Sequence, residues 1–130
     1  MSTRLDDLQP EFRRIAVEVL AQLTEAGVAV MITCTGRTQA EQDAAFARGA
    51  SKVHHSRHQD GMAVDLCPYL LFDLHGADKL QWDSSDPAFK TIGRIGERNG
   101  LRWGGRFGES APGAGDGWDA SHLELPTGRP

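Results

Sequence analysis

The sequence predicts an α+β domain, a small antiparallel sheet with helices packed on it. Three observations carry that expectation. Apolar residues recur at helical spacing in separate stretches, short apolar runs of strand length lie between them, and the later runs follow one another with short links. A chain of 130 residues has room for one such domain.

The elements follow in order. Pro10 suits the first position of a helix, and Phe12, Ile15, Ala16, Val19, Leu20 and Leu23 then form one apolar face that Gly27 ends. Val28 to Cys34 is an apolar run rich in β-branched residues and reads as a buried strand. After a short loop at Thr35-Gly36-Arg37, Thr38 and Glu41 have the spacing of a capping box, which starts a second helix that runs through Phe46 and stops near Gly49. Residues 50–61 are polar and irregular and hold three of the five histidines. Met62 to Cys67 is a short strand with one carboxylate inside it, and residues 68–85 read as a short strand and a loop. Asp86-Pro87 opens a third helix with Phe89, Ile92 and Ile95 on its buried stripe, closed by Gly100. Residues 101–103 read as a strand, the glycine-rich residues 104–117 as a loop, and the alternating Ser121 to Leu125 as a last strand, with an exposed tail from Pro126.

Composition narrows the function. Hydrophobic residues make up 39% and charged residues 25%, a mix that builds a core. Fourteen Lys and Arg against 18 Asp and Glu give a net charge of −4, so the basic footprint of a nucleic-acid binder is missing. The longest apolar run is far shorter than a membrane span, and membrane insertion is not expected. The first twelve residues lack the apolar core of a cleavable signal peptide, which implies synthesis in the cytoplasm. Two cysteines, Cys34 and Cys67, cannot form a disulfide scaffold; they read as small buried hydrophobes.

Chemistry concentrates in two segments. His58 and Asp65 lie within S-R-H-Q-D-G-M-A-V-D, and Asp119 and His122 within W-D-A-S-H-L-E. A carboxylate between Val64 and Leu66 is costly to bury alone and needs a metal ion or an arginine as partner. Two histidines and a carboxylate hold catalytic zinc and leave the fourth position for water. Asp119 would then exchange protons with that water and with the leaving amine. Three residues before His122, it must lie in the loop preceding the strand to reach the same side. Spacing alone leaves the plainer reading open: a surface histidine and a salt-bridged aspartate.

The motifs add a resemblance. S-R-H-Q-D-G-M-A-V-D-L resembles the S-x-H-x-x-G-x-A-x-D-[LF] signature of the zinc D-Ala-D-Ala and L-Ala-D-Glu peptidases, and W-D-A-S-H-L-E-L resembles their [DE]-x-x-H-[FLW]-[EQ] signature. Upstream, I-T-C-T-G-R-T-Q-A-E-Q resembles the segment that reads T-x-x-Y-R-S-x-x-E-Q, and W-G-G at 103–105 resembles a W-G-G that precedes the second signature. The resemblance implies a hedgehog/DD-peptidase-like fold, with residues 1–130 as a single zinc peptidase catalytic domain. It implies Zn2+ held by His58, Asp65 and His122, Asp119 as catalytic acid/base, and Arg37 on the scissile carbonyl or oxyanion. It places Ser56 and Gln42 at the substrate. Trp118, beside Asp119, is a candidate wall of the cleft. Glu124 reads either as a partner orienting a ligand histidine or as a surface charge of the strand. His54, His55 and His75 read as solvent-exposed, and Trp82 and Trp103 as core or rim packing. The chain departs from the pattern at Gly36, where tyrosine is usual, at Thr38, where serine is usual, and at Arg106-Phe107, where Asp-Trp is common.

The implied function is hydrolysis of a stem-peptide amide in peptidoglycan. Aspartate at 119 and the N-terminus favour a phage or prophage L-alanyl-D-glutamate endopeptidase, a monomer that reaches the wall once a holin opens the membrane. The alternatives are a D-Ala-D-Ala carboxypeptidase and a non-catalytic zinc-containing peptidoglycan-binding domain; the presence of both Asp119 and Arg37 argues for an enzyme.

Overall fold

The computed structural model describes residues 1–70 and 79–126. Its elements are α1 (Pro10–Glu25), β1 (Val30–Cys34), α2 (Gln39–Ala47), β2 (Ala63–Pro68), α3 (Pro87–Arg98), β3 (Arg102–Trp103) and β4 (His122–Glu124), with 3-10 turns at Leu5–Asp7, Arg57–Asp60 and Gly104–Arg106. The strands form one sheet in the order β1-β2-β4-β3, and every pairing is antiparallel. The α+β expectation holds.

Local chemistry sets the boundaries. Thr38 caps α2 with both hydrogen bonds of the capping box in place. Asp86 caps α3 by accepting from the Ala88 N–H. β1 starts two residues later than the apolar run, because the Val28 N–H donates to the Leu23 carbonyl at 2.9 Å and completes the end of α1 around Gly27. The run from 101 contributes two residues to the sheet before the chain turns at Gly104. Residues 71–78 and 127–130, which include His75 and most of the tail, lie outside the described residues; beside the first gap, Tyr69 bridges Leu80.

The sheet has two different faces. Val64, Leu66, Leu123 and Trp103 pack with Phe12, Val19, Leu23, Phe89 and Ile92 into one core under α1 and α3. Burying five such side chains as large as Phe and Ile is worth about 1.5–3 kcal/mol each before the cost of ordering them. Helix α3 comes close because its buried face carries Gly93: a Cβ there would lie 2.2 Å from the Trp103 ring. Period-two alternation turns Asp65, His122 and Glu124 to the opposite face. Between Ile32 and Cys34 the β1–β2 register shifts, so Cys34 rather than Thr33 stands opposite Asp65.

Candidate metal centre and active-site cleft

Each potential metal donor is placed by a different piece of backbone. Asp65 projects from the central strand β2, and His122 is its direct cross-strand partner on β4. His58 sits in the 3-10 turn Arg57–Asp60, whose start Ser56 caps by accepting from the His58 N–H at 3.2 Å. The turn ends at Gly61, where φ is +70°. The His58 Nε2 and the His122 Nδ1 each lie 3.2 Å from Asp65 Oδ1. Two imidazole nitrogens on either side of one carboxylate are a donor chemistry that zinc accepts; the donor atoms that lie mutually within 4.8 Å are those of Cys34, His58 and Asp65 and those of Asp65, Asp119 and His122, two groups that share Asp65. His58 and His122 are 3% and 5% exposed, which leaves entry only from the cleft side.

Asp119 stands next to them on the loop before β4, as its spacing requires, with Oδ2 3.6 Å from His122 Nδ1. The loop is held by its own backbone: the Asp119 carbonyl accepts from the His122 N–H at 3.0 Å, and the Asp119 N–H donates to the Gly104 carbonyl at 3.2 Å. That approach requires glycine, since a Cβ at Gly104 would lie 2.0 Å from the Asp119 carbonyl oxygen. Here is a physical reason for the W-G-G motif.

The electrostatics of the metal-free cluster are dominated by one carboxylate between two imidazoles. Burial opposes charge on His58, but hydrogen bonds to Asp65 outweigh it and raise its pKa to about 9. His122 rises to about 10 on the same balance, with Asp65 and Glu124 as its partners. Burial pushes Asp65 up, but both histidines overcome it and hold it below the usual carboxylate range. Asp119 differs: burial, helped by the charge of Asp65 and only partly offset by His122, raises it to about 6. Asp119 is thus the carboxyl group of this metal-free cluster that most readily takes a proton.

These groups open into a cleft of about 280 Å³, which Arg37, Ser56, Arg57, Arg102, Phe107 and Trp118 also line. The Arg37 Nη1 donates to Gln42 Oε1 at 3.0 Å, and the Gln42 amide nitrogen donates to Ser51 Oγ and the Val53 carbonyl. Gln42 itself is fully buried and does not line the cleft. Its place is behind Arg37, where it fixes the guanidinium, and not at the substrate as its motif position suggested. Trp118 is 43% exposed at the rim, under the Lys52 ammonium.

Glu124 is 7% exposed, and its Oε1 lies 2.9 Å from His122 Nε2, so the partner reading is the one the fold realises. Sequence reasoning missed Arg57, which shares the 3-10 turn of His58, Arg102, which the register sets opposite Glu124, and Phe107, which follows the Gly104–Arg106 turn. His55 pairs with Asp60, and His54 stacks on Phe46 with ring centroids 3.8 Å apart; neither joins the donor cluster. Trp103 is core, with its indole N–H donating to the Ala120 carbonyl, whereas Trp82 is 56% exposed and packs in no core. Cys34 is more than a packed hydrophobe: its sulfur lies within 4.8 Å of donor atoms of both His58 and Asp65.

The profile of a family described as D-alanyl-D-alanine carboxypeptidase matches residues 49–125, more than half of the chain. The chain belongs to this family. The matched span holds His58, Asp65, Asp119 and His122, while Arg37 and Gln42 precede it. Among solved structures, the chain is similar to the Serratia marcescens L-Ala D-Glu endopeptidase ChiX, at TM-score 0.68 and 22% identity over 94% of this chain and 83% of that one. It is also similar to the LD-carboxypeptidase LdcB (TM-score 0.61, 16% identity, 91% and 58% covered) and to the vancomycin-resistance D,D-dipeptidase VanXYg (0.58, 17%, 91% and 50%). It therefore spans only half to three-fifths of the latter two proteins. These likenesses establish a shared peptidase-family fold. No described helix is long and apolar enough to cross a membrane.

Proposed function

We propose that this member of the D-alanyl-D-alanine carboxypeptidase family is a zinc peptidase of peptidoglycan that hydrolyses the L-Ala–D-Glu amide of the stem peptide. The observation that carries the reading is Asp65 held between His58 and His122, with Asp119 beside His122, in an open cleft. The choice of bond is supported by the endopeptidase ChiX, which of the three structures compared has the highest TM-score and the largest share of its own length covered. Arginines 37, 57 and 102 line the cleft, which suits a substrate that carries carboxylates.

The roles follow from position. Bound zinc supplies a Lewis acid and lowers the pKa of its water to about 7. His58, Asp65 and His122 would hold it, and Glu124 fixes the ring of His122 through Nε2. Asp119 would take at its carboxylate the proton that the attacking water loses and return it to the leaving amine. Arg37, steadied by Gln42, directs positive charge to the developing oxyanion. Ser56 and Trp118 line the path of the peptide. In this reading the protein is an endolysin, made in the cytoplasm and delivered to the wall by a holin.

Digestion of purified sacculi, with and without chelator, tests the proposal by mass spectrometry of the products. New N-terminal D-Glu on stem peptides, abolished by chelation and restored by zinc, is the expected result. Loss of terminal D-Ala instead would make the protein a carboxypeptidase. No product, with zinc bound one to one, would overturn the enzymatic reading.

A further inference from the structure

Three arginines reach the cleft, and two of them are engaged by the fold. Arg37 is held by Gln42. Arg57 donates through Nη2 to the Leu125 carbonyl at 2.6 Å, and its Nε is buried. Arg102 differs. Its side chain is 56% exposed, and among the described residues its guanidinium makes one hydrogen bond, from Nη1 to Glu124 Oε2 at 3.4 Å. A guanidinium carries five N–H donors in a planar fork that matches a carboxylate. Most of this fork is unused.

The fold sets this fork beside the reacting groups. Arg102 lies on the edge strand β3 directly opposite Glu124, so it shares the sheet face of Asp65 and His122. The Phe107 ring supports it, 5.2 Å from the guanidinium carbon and 5.7 Å from the His122 ring. Glu124 links it to the metal donors, with Oε1 on His122 Nε2 and Oε2 toward Arg102. One carboxylate thus separates the fork from His122, a gap that about two residues of extended peptide, at about 3.3–3.6 Å each, would span. Asp119 belongs to the same side of the cleft, because its N–H donates to the carbonyl of Gly104, just after β3. Arg37 lies instead on the connection from β1 to α2. An amine that takes its proton from Asp119 therefore leaves on the side of Arg102.

We propose that Arg102 is a specificity-determining residue whose guanidinium receives the free α-carboxylate of the residue that carries the leaving amine. The proposal rests on the peptidase reading above. D-Glu continues the stem peptide through its γ-carboxyl group, so its α-carboxylate stays free beside the scissile nitrogen. A terminal D-Ala presents the same group in the same place. The assignment therefore separates from the choice of bond. Glu124 then serves two neighbours, turning the ring of His122 with one oxygen and steadying the fork of Arg102 with the other.

The test uses two synthetic stem peptides that differ in one group: D-Glu after L-Ala in the first, and its α-carboxamide, D-isoglutamine, in the second. Zinc-saturated wild type, Arg102→Gln and Arg102→Lys are compared on both, with zinc content and circular dichroism measured on each preparation. The wild type should prefer the carboxylate peptide by about tenfold, chiefly through KM. Arg102→Gln should lose that preference, and Arg102→Lys should keep part of it as a point charge without the fork. A preference that survives Arg102→Gln, or a loss equal on both peptides, would overturn the proposal; the second result would leave Arg102 as a prop for Glu124. If the wild type removes terminal D-Ala instead, the choice of bond fails, and a peptide ending in D-Ala against its carboxamide carries the same comparison. If zinc-loaded wild type cleaves neither, the peptidase reading fails, and calorimetry with the dipeptide γ-D-Glu-L-Lys and its D-isoglutamine counterpart decides the site. Binding of the first that weakens about tenfold in Arg102→Gln upholds the carboxylate site; equal binding, or none to the wild type, refutes it.

Discussion

Gly104→Ala isolates the placement of Asp119 from the metal donors. The new Cβ would meet the Asp119 carbonyl oxygen at 2.0 Å and its Cβ at 2.8 Å. An ordinary carbon–oxygen contact needs about 3.2 Å or more, so the loop must yield by roughly 1 Å, against a backbone that is itself hydrogen-bonded to Gly104 and His122. Overpacking of this kind costs about 1–3 kcal/mol of stability. A displacement of 1 Å at a reacting group costs about a hundredfold in rate. Gly104→Ala should therefore lower the thermal midpoint by several degrees and lower kcat on a stem-peptide substrate by about a hundredfold. Bound zinc should stay near one per chain, because His58 and Asp65 are attached elsewhere. The assay is steady-state hydrolysis beside metal analysis of the same preparation. Wild-type kcat in a folded Gly104→Ala protein would refute the argument that this glycine exists to admit the Asp119 loop.

Three further outcomes are expected. His58→Ala and His122→Ala should each lose zinc and activity together by metal analysis and sacculus digestion, and stoichiometric zinc in either would remove that residue from the ligand set. Asp119→Ala should keep zinc and lose turnover by at least about a hundredfold, the usual weight of a general acid–base group; loss of zinc would make Asp119 a ligand. In chelated protein the paired histidines, raised to about 9 and 10 from 6.5, contribute stability that is fully present below pH 6.5 and lost as pH rises through 9 to 10. The thermal midpoint of the metal-free protein should fall across that window and fall less in His58→Ala; an equal or larger fall in the variant would refute the assignment.

What could be read from the sequence was what the chain encodes locally. The capping box of Thr38 and Glu41, the start of α3 at Asp86-Pro87 and the buried stripe of α1 depend on residues within one or two turns of each other, and they appear where their spacing put them. The loop position of Asp119 could also be deduced, because period-two geometry forbids it on the strand of His122. Register is different. The pairing of Arg102 with Glu124 and the place of Cys34 opposite Asp65 each depend on how strands separated by many residues align. A register shift at Ile32 changes which of two adjacent residues faces the site, and neither Thr33 nor Cys34 has a side chain that announces it.

The division of labour between sheet and loops has a consequence for catalysis. Asp65 and His122 are cross-strand partners, so their separation is fixed by backbone hydrogen bonds on both sides of β2 and changes only if the sheet breaks. The groups assigned to proton transfer and to the oxyanion, Asp119 and Arg37, lie instead on connections, one packed on Gly104 and one held by Gln42. A metal site tolerates little variation in donor distance, whereas an acid–base group must follow a proton from an attacking water to a leaving amine. Rigid placement of the first set and tethered placement of the second satisfy both demands within one small domain. The Gln42 tether is buried and bonds to none of the metal donors, whereas the Asp119 carbonyl packed on Gly104 also accepts from the His122 N–H. Changes to Gln42 should therefore alter kcat with little change in zinc affinity, while changes to Glu124 should do the reverse.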